Sequence, residues 1–213
     1  MRQLMVLNAK GGSGKTTIAT NLASYYATQG LDVVLADLDE QGSALAWLAA
    51  RPAGRPPIRG VDASAKGARL PRSADVAILD APAGVHKSEL GHLMRRADTF
   101  LVPVLPSPID MRAAEDFIAE MRRNKRIQSQ KAKYGVIANR AKEHTNVFRA
   151  LEQCLRHLRV PVLTQLRDSM NYVRAAERGI GIHELAPYRT AFDRAQWRPI
   201  SKWLNSKRSR PSP

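Results

Sequence analysis

The sequence has little cysteine, few aromatic residues and no long hydrophobic run. Its single cysteine, Cys154, excludes a disulfide framework and leaves too few thiols for a zinc site or a metal cluster. No segment approaches the roughly 18 consecutive apolar residues of a membrane-spanning helix, and no secretory signal precedes residue 10. We therefore expect a cytoplasmic protein, whose 213 residues are enough for a domain with its own hydrophobic core.

Acidic residues are also scarce, with 19 aspartates and glutamates against 34 lysines and arginines and a net charge of +15. The imbalance lies in the second half, because residues 106–213 carry 22 of the basic residues and only 10 of the acidic ones. Clustered lysine and arginine attract polyanions and release counterions from a phosphate backbone. The charge predicts a polyanionic partner, although a basic surface without any partner would have the same composition.

What the chain does contain is a regular alternation of short apolar runs and amphipathic stretches. This alternation is typical of parallel strands joined by crossover helices. We predict a single α/β domain over residues 1–205, built as a doubly wound, mostly parallel sheet flanked by helices, and a basic, disordered tail over residues 206–213. The predicted strands are Gln3–Leu7, Val33–Asp37, Ile58–Val61, Val76–Asp80, Thr99–Val104, Tyr134–Ala138 and Val160–Leu163. The predicted helices are Lys15–Gln29, Ser43–Ala50, Ser88–Ala97, Ile109–Arg126, Asn146–Leu158 and Ser169–Arg178.

A glycine-rich loop follows the first predicted strand and opens the first predicted helix. Its sequence is Lys10-Gly-Gly-Ser-Gly-Lys-Thr-Thr17. Glycines permit turns in which successive N–H groups, together with the positive end of the following helix, hold phosphate oxygens. Lys15 would supply a point charge to the outer phosphates, and Thr16 would supply a hydroxyl to Mg²⁺. The predicted nucleotide-binding residues of this loop are Gly11, Gly12, Ser13, Gly14, Lys15, Thr16 and Thr17.

Acidic residues stand at the ends of two predicted strands. Asp37 and Asp39 end or follow one strand, and Asp80 ends another. Ligands bind beyond the carboxyl ends of the strands in an open parallel sheet, so these acids should meet the glycine loop. Asp80 is the expected Mg²⁺ ligand, acting through a water beside the Thr16 hydroxyl. A solvated turn aspartate is the alternative for each position.

The loop departs from the usual G-x-x-x-x-G-K-[ST] spacing, because Ala9 stands where the first glycine belongs and Lys10 stands at the head. With this loop and the segment Asp37-x-Asp39-x-Gln41, the chain resembles the ParA/MinD family of deviant Walker A ATPases, and within it the short, ParF-like plasmid-partition members. The resemblance implies that Lys10 crosses an ATP-dependent dimer interface to the partner's nucleotide. It also implies that Asp39 orients the attacking water and that Asp37 supports the Mg²⁺ water shell. Lys10, Lys15 and Asp39 are then the catalytic residues, Thr16, Asp37 and Asp80 the metal-site residues, and ATP and Mg²⁺ the cofactors.

Two further segments match the family pattern. Asn139, directly after a predicted strand, corresponds to the asparagine that contacts adenine. Leu101–Asp110 resembles the proline-rich segment that shapes the dimer, although a strand-to-helix turn in which Pro108 starts a helix explains it equally well.

The same resemblance implies a nucleoid-associated homodimer that binds DNA without sequence preference. A small ParB-like adaptor or centromere-binding protein would stimulate hydrolysis, and the cargo would be a plasmid, a chromosome region or another body. The DNA-binding candidates are six basic residues of the second half, Arg122, Arg123, Lys125, Arg126, Arg167 and Arg174.

Two other functions stay open from the sequence. A MinD-like membrane ATPase would use Phe192–Leu204 as a basic interfacial helix, but Pro199 interrupts it, and a helix that packs its aromatic residues on the sheet explains the pattern as well. A metabolic enzyme with a related loop is the other class. The nitrogenase-reductase type needs a pair of cysteines, which Cys154 cannot supply, and no substrate-specific set of residues points to a carboxylate ligase.

Overall fold

The computed structural model of the chain describes residues 1–65, 67–85 and 87–211. Its centre is a seven-stranded parallel sheet with the strand order β3-β2-β4-β1-β5-β6-β7. The strands are β1 (Arg2–Val6), β2 (Val33–Asp37), β3 (Arg59–Asp62), β4 (Val76–Asp80), β5 (Thr99–Val104), β6 (Lys133–Ala141) and β7 (Val162–Arg167). The predicted doubly wound sheet is confirmed, and the observed sheet is parallel throughout.

Helices cover both faces of this sheet. Those of the described residues are α1 (Lys15–Thr28), α2 (Ser43–Ala49), α3 (Lys87–Leu93), α4 (Pro108–Arg123), α5 (Lys125–Gln128), α6 (Asn146–His157), α7 (Met170–Ala176) and α8 (Pro187–Leu204), with 3-10 helices at Ile182–Glu184 and Lys207–Ser209. One core layer lies between the sheet and α3, α4 and α6, and the other lies between the sheet and α1, α2 and α8. The central strands are continuous apolar runs because both of their faces are covered.

Pro103 lies in the central strand β5, where a missing N–H would normally break the sheet. β1 pairs with β5 only from Leu4 to Val6, and beyond that point the chain turns into the glycine loop. The Pro103 carbonyl accepts instead from Asn8 Nδ2 at 2.6 Å. A proline is tolerated here because the neighbouring strand has already ended.

Helix boundaries differ from the prediction where a capping residue decides them. The predicted helix Ile109–Arg126 divides at Asn124, which is extended and whose side chain accepts the Arg126 N–H at the start of α5. Ser107 caps α4 and Pro108 occupies its first turn, as in the strand-to-helix interpretation of this segment. The last predicted strand lies later than expected, at Val162–Arg167.

A buried ion pair fastens the chain after α7 to the first two helices. Arg51 Nη1 lies 2.8 Å from Glu184 Oε2, and the two side chains are 4% and 1% exposed. Glu184 also accepts from the Ser24 hydroxyl of α1 and from the Gly181 N–H. The remaining Arg51 donors reach the carbonyls of Gly179 and Pro56. Such full pairing is what a buried charge requires.

The tail is ordered where we expected disorder. Residues 207–209 form a 3-10 helix, and Ser209 is completely buried. Arg2 donates to Ser209 Oγ at 2.6 Å and to the Leu204 carbonyl, while the Thr99 hydroxyl donates to the Ser209 carbonyl at 2.6 Å. These bonds pair polar groups at the amino edge of β1 and β5, which holds the segment in place. The prediction of disorder is therefore wrong for residues 206–209, and residues 212 and 213 lie outside the described residues.

Candidate active site

The glycine loop joins β1 to α1 through two residues in the left-handed region, Gly12 with φ +74° and Gly14 with φ +91°. A Cβ at Gly14 would lie 2.3 Å from Asn139 Nδ2 and would have to displace that amide, in addition to the strain of its positive φ. Gly14 caps α1 without a side-chain hydrogen bond, and the first turn of α1 contains no acidic residue. The N–H groups at the start of α1 are thus left for an external anion, as in a phosphate-binding loop.

The two lysines of the loop have different environments. Lys15 is 6% exposed, and its Nζ donates to the Lys10 carbonyl at 3.1 Å. Burial lowers the pKa of Lys15, while the carboxylates of Asp80 and Asp39 act in the opposite direction. Lys10 is half-buried, and none of the ion pairs among the described residues involves its ammonium group. Its contact with a partner subunit stays a prediction.

Asn8 supports the head of the loop, and the sequence analysis missed it. Its side chain is buried beside β5. Its Nδ2 donates to the Pro103 carbonyl of that strand at 2.6 Å, and its Oδ1 accepts from the Lys10 N–H at 3.1 Å. The Lys10 carbonyl in turn accepts from Ser13 Oγ and from Lys15 Nζ. Asn8 therefore connects the backbone of Lys10 to β5 through two hydrogen bonds. The sequence signal for Asn8 was its position as a polar residue directly after an apolar strand and before the glycine loop.

Asp80 ends β4 beside the loop and is almost completely buried. Burial raises its pKa to about 7, and a hydrogen bond from the Thr16 hydroxyl acts to lower it. Its Oδ1 has no hydrogen-bond partner among the described residues. A buried carboxylate oxygen of this kind is costly unless a cation or water satisfies it.

Thr16 and Asp80 together fit a Mg²⁺ ion that keeps several of its waters. Mg²⁺ in nucleotide sites is bound through one or two carboxylates and the substrate phosphates rather than by an all-protein cage. Accordingly, the described part of the chain holds no cluster of three or more histidine, cysteine or acidic side chains that could bind a metal. The orphaned Oδ1 of Asp80 is the atom that supports the predicted metal site.

Asp37 has a structural task that the sequence did not indicate. Its Oδ2 accepts the N–H groups of Ala44 at 2.8 Å and Leu45 at 3.2 Å, at the start of α2. Its Oδ1 accepts the Asp39 N–H at 3.1 Å. Asp37 thus shapes the turn that carries Asp39, and its predicted support of the Mg²⁺ water shell stays a prediction.

Asp39 lies partly buried with both carboxylate oxygens oriented by backbone donors. Oδ1 accepts from the Gln41 N–H at 3.0 Å, and Oδ2 accepts from the Ala83 N–H at 3.0 Å. Each oxygen keeps a lone pair for a water molecule. The charge of Asp39 is felt by both Lys15 and Asp80, so the three groups share one site. The water-orienting role remains a prediction.

A cleft of about 410 Å³ opens beside the loop, between the end of β6 and the connection from β7 to α7. Its volume is in the range of small-ligand pockets, and its place next to the phosphate loop suits a nucleoside. Asn139 lines it, but Asn139 Nδ2 already donates to the Ser13 carbonyl at 2.8 Å. The amide therefore supports the loop, and its predicted adenine contact is left with Oδ1 and the second N–H of Nδ2.

Three of the six DNA-binding candidates have structural tasks. Arg122 donates to the Tyr134 hydroxyl and to the carbonyls of Leu158 and Arg159. Arg126 donates to the carbonyls of Met94 and Lys131 and to Asp98.

Arg167 pairs with the buried Asp193 at 2.7 Å and lines the nucleotide cleft instead of an outer surface. Sequence spacing cannot show these contacts, and a role of Arg122, Arg126 and Arg167 in DNA binding stays a prediction. Arg123, Lys125 and Arg174 are exposed, and their role stays a prediction.

The apolar side of Phe192–Leu204 is covered by the protein. Trp197, Ile200 and Leu204 are buried against the sheet, as the packing interpretation expects. Phe192 is half exposed, with the Arg167 guanidinium 4.9 Å from its ring centroid. Within the described residues no helix has the length and apolar character to cross a bilayer. An interfacial membrane helix is not favoured by this packing.

Comparison with known proteins gives a family match over most of the chain. The family described as the CobQ/CobB/MinD/ParA nucleotide binding domain matches residues 4–182. The chain is also 32% identical, over 189 residues, to the maintenance of carboxysome distribution protein A of Halothiobacillus neapolitanus, an alignment that covers 85% of this chain and 87% of that protein.

Solved structures share the fold at low sequence identity. A complex of McdA with ATP from Cyanothece aligns with a TM-score of 0.71 at 15% identity, covering 94% of this chain and 96% of that one. Cobyrinic acid a,c-diamide synthase from Mycobacterium smegmatis, with a bound ATP analogue and magnesium, aligns with a TM-score of 0.71 at 20% identity, covering 100% and 98%. ATP and Mg²⁺, the predicted cofactors, are typical of this family. The family match, the loop headed by Lys10 and the parallel sheet lead to one assignment: the chain belongs to the CobQ/CobB/MinD/ParA family, and it is a P-loop ATPase of the ParA/MinD type.

Proposed function

We propose that this chain is an ATPase that dimerises with ATP, binds DNA without sequence preference and positions a cargo on the nucleoid, with a small ParB-like adaptor stimulating hydrolysis. The observation that best supports the proposal is that the two lysines of the glycine loop have different environments. Lys15 is buried within its own loop, whereas Lys10 is held through its backbone and its ammonium group forms no ion pair with a described residue. The similarity to a carboxysome distribution protein supports a positioning role.

The hydrolytic step would use the carboxylate of Asp39. A water attacks the γ-phosphorus of ATP, the bond to the β,γ-bridging oxygen breaks, and ADP and phosphate leave. Asp39, held by the Gln41 and Ala83 N–H groups, accepts a hydrogen bond from that water and orients it. Lys15 in the same subunit and Lys10 of the second subunit face the charge that develops on the phosphoryl oxygens. Thr16 and Asp80 are the residues that would hold Mg²⁺, and the ion would supply positive charge to the phosphates.

Dimerisation would therefore complete the site. One subunit supplies the cradle, Lys15 and Asp39, and the other supplies Lys10. A rate that depends on two subunits stays low until assembly is correct, which is the behaviour of a timer or switch. This is the physical reason to expect slow turnover by the isolated chain and stimulation by an adaptor.

The DNA surface that we propose lies at the end of α8 and the ordered tail. Lys202, Lys207, Arg208 and Arg210 are exposed there. The 3-10 helix holds the last three beside α8, because Ser209 Oγ donates to the Leu204 carbonyl at 2.8 Å. Fixed cations lose less side-chain and chain entropy on binding a phosphate backbone than cations on a disordered tail. Two copies in an ATP dimer would double the phosphates neutralised.

Binding of random-sequence duplex DNA, measured by co-sedimentation at 50 to 200 mM salt, tests this surface. The ATP form should bind and the ADP form should not, with a steep fall in affinity as salt rises. The combined variant Lys202→Ala, Lys207→Ala, Arg208→Ala should flatten the slope of log K against log salt by roughly one for each phosphate that is no longer neutralised. Exposed arginines of the first half give a matched control with the same reduction in charge, Arg55→Ala, Arg69→Ala and Arg72→Ala.

Three results would contradict the DNA-binding proposal. The first is equal binding by the ADP and ATP forms, and the second is no binding at low salt. The third is a control variant that flattens the slope as much as the α8 variant. Because a diamide synthase shares the fold, ATP hydrolysis should also be measured with and without DNA. A metabolic ligase would need its small substrate and would ignore DNA.

A further inference from the structure

The segment that follows β4 lies between the head of the glycine loop and Asp39. The Ala83 N–H donates to Asp39 Oδ2 at 3.0 Å, and the Gly84 N–H donates to the Ala9 carbonyl at 3.1 Å. A Cβ built on Gly11 would lie 3.7 Å from the Ala83 Cβ, so this segment packs directly against the loop. Two consecutive backbone N–H groups thus join the residue before Lys10 to the carboxylate of Asp39.

Both ends of this bridge are hydrogen-bonded to neighbouring groups, so a shift of the Ala9 carbonyl can reach the Asp39 carboxylate through two consecutive hydrogen bonds. At the loop, the Lys10 N–H is held by Asn8, which is bound to the central strand. At the acid, the Asp39 N–H donates to the buried Asp37. The segment itself is anchored by Val85, which is buried in the core.

Gly84 is required by its conformation and not by lack of space. Its φ is +68°, and a Cβ added there would meet none of the described residues within 4 Å. An alanine at this position would strain the backbone of the bridge without a clash against any described residue. Gly30, at the end of α1, offers a close match, since its φ is +80° and its surroundings are equally open.

We propose that Ala83 and Gly84 are positioning residues that couple the place of Lys10 to the orientation of Asp39. This inference rests on the proposed roles of Lys10 and Asp39. When Lys10 engages the nucleotide of the second subunit, Ala9 moves with it, the Gly84 N–H follows the Ala9 carbonyl, and the Ala83 N–H turns the Asp39 carboxylate toward the water. Dimer assembly and water activation are then linked through the backbone.

The first experiment compares Gly84→Ala with Gly30→Ala in steady-state ATP hydrolysis. Gly84→Ala should lower kcat on the order of 10- to 100-fold, the cost of a misplaced catalytic group, and should change the affinity for a fluorescent ATP analogue by less than about twofold. Gly30→Ala carries the same backbone strain far from the site and should leave kcat unchanged. A general loss of stability would affect both variants alike.

The second experiment needs no turnover. Amide hydrogen exchange in the nucleotide-free protein should quicken at Ala83 in Asp39→Ala and in Gly84→Ala, but not in Gly30→Ala. In a double-mutant cycle, Gly84→Ala should have no further effect on kcat once Asp39 is alanine, because it acts through that residue.

Three outcomes overturn the coupling: kcat of Gly84→Ala equal to that of Gly30→Ala, an Ala83 amide unaffected by Asp39→Ala, or a full effect of Gly84→Ala in the Asp39→Ala background. Normal turnover by Asp39→Ala alone would instead refute the proposed catalytic role of Asp39. The two failures are therefore distinguishable.

Discussion

Asp80→Asn should make the nucleotide-free protein more stable at pH 8, because it removes a carboxylate that folding must desolvate. Burial raises the pKa of Asp80 from 3.8 to about 7. The free-energy penalty for burying the charged carboxylate is absent below the pKa of the unfolded state. It grows as the pH rises from 3.8 to about 7 and is complete above the pKa of the folded state. A shift of roughly three units corresponds to about 4 kcal/mol, at 1.36 kcal/mol per unit.

His183 also contributes to the pH dependence of the free energy of unfolding, so its effect must be separated from that of Asp80. Burial lowers its pKa from 6.5 to about 4, so the stability present above the unfolded value is lost as the pH falls toward the folded one. Between pH 4 and pH 6.5, a rise in pH lowers the free energy of unfolding through Asp80 and raises it through His183. The two effects offset one another in the wild type. In Asp80→Asn the effect of the histidine is no longer opposed by Asp80, so the free energy of unfolding should rise with pH.

Urea unfolding at several pH values, without Mg²⁺ or nucleotide, measures both curves. The difference between the variant and the wild type should increase by about 4 kcal/mol from pH 4 to pH 8. A difference that stays constant over this range would refute the reasoning. The same substitution should abolish Mg²⁺-dependent tightening of ATP binding, which separates the stability effect from the role of Asp80 in the site.

The other predictions concern the loop and its acids. Lys10→Ala should keep ATP affinity but weaken the ATP-bound dimer, because the backbone contacts of Lys10 survive; sedimentation with a non-hydrolysable analogue checks this, and wild-type dimerisation would contradict it. Asp39→Ala should bind ATP and dimerise but hydrolyse ATP on the order of 10²-fold more slowly in a phosphate-release assay, and normal release would place catalysis elsewhere. Gly14→Ala should lose far more ATP affinity in a fluorescence titration than Gly12→Ala, since both have positive φ but only the first drives a Cβ to 2.3 Å from Asn139 Nδ2; equal losses would count against the clash.

The sheet and the nucleotide loop could be predicted from the sequence because both depend on local patterns. Strands β2, β4 and β5 lie where their apolar runs predicted them, since buried parallel strands carry an uninterrupted hydrophobic signal. The glycine spacing fixed the place of the loop, and the strand ends placed Asp39 and Asp80 beside it. Asn124, a capping residue inside a predicted helix, shows the limit of periodicity, because it ended α4 where the apolar pattern continued.

Contacts between distant parts of the chain could not be predicted. Arg122 and Arg126 lie in a run of basic residues, yet each also donates to backbone carbonyls of distant parts of the chain. The tail has a disordered composition, yet Ser209 is buried because Arg2 and Thr99 lie where they can bind it. Polar pairing across long sequence separations depends on the finished fold, which single-residue propensities do not encode.

The docking of the tail at Arg2 decides how the protein can be labelled for imaging in cells. Residues 2 and 209 meet at the amino edge of the sheet, whereas Lys10 and the acids lie at the carboxyl edge, so a fluorescent protein at either end would lie away from the glycine loop but close to the proposed DNA surface at Lys207 and Arg208. The attachment point matters, however. A fusion that replaces residues 206–211 would remove the Ser209 hydroxyl that accepts from Arg2, whose Nε is already buried without a partner among the described residues. A label joined by a flexible linker beyond the tail is the fusion that preserves the fold.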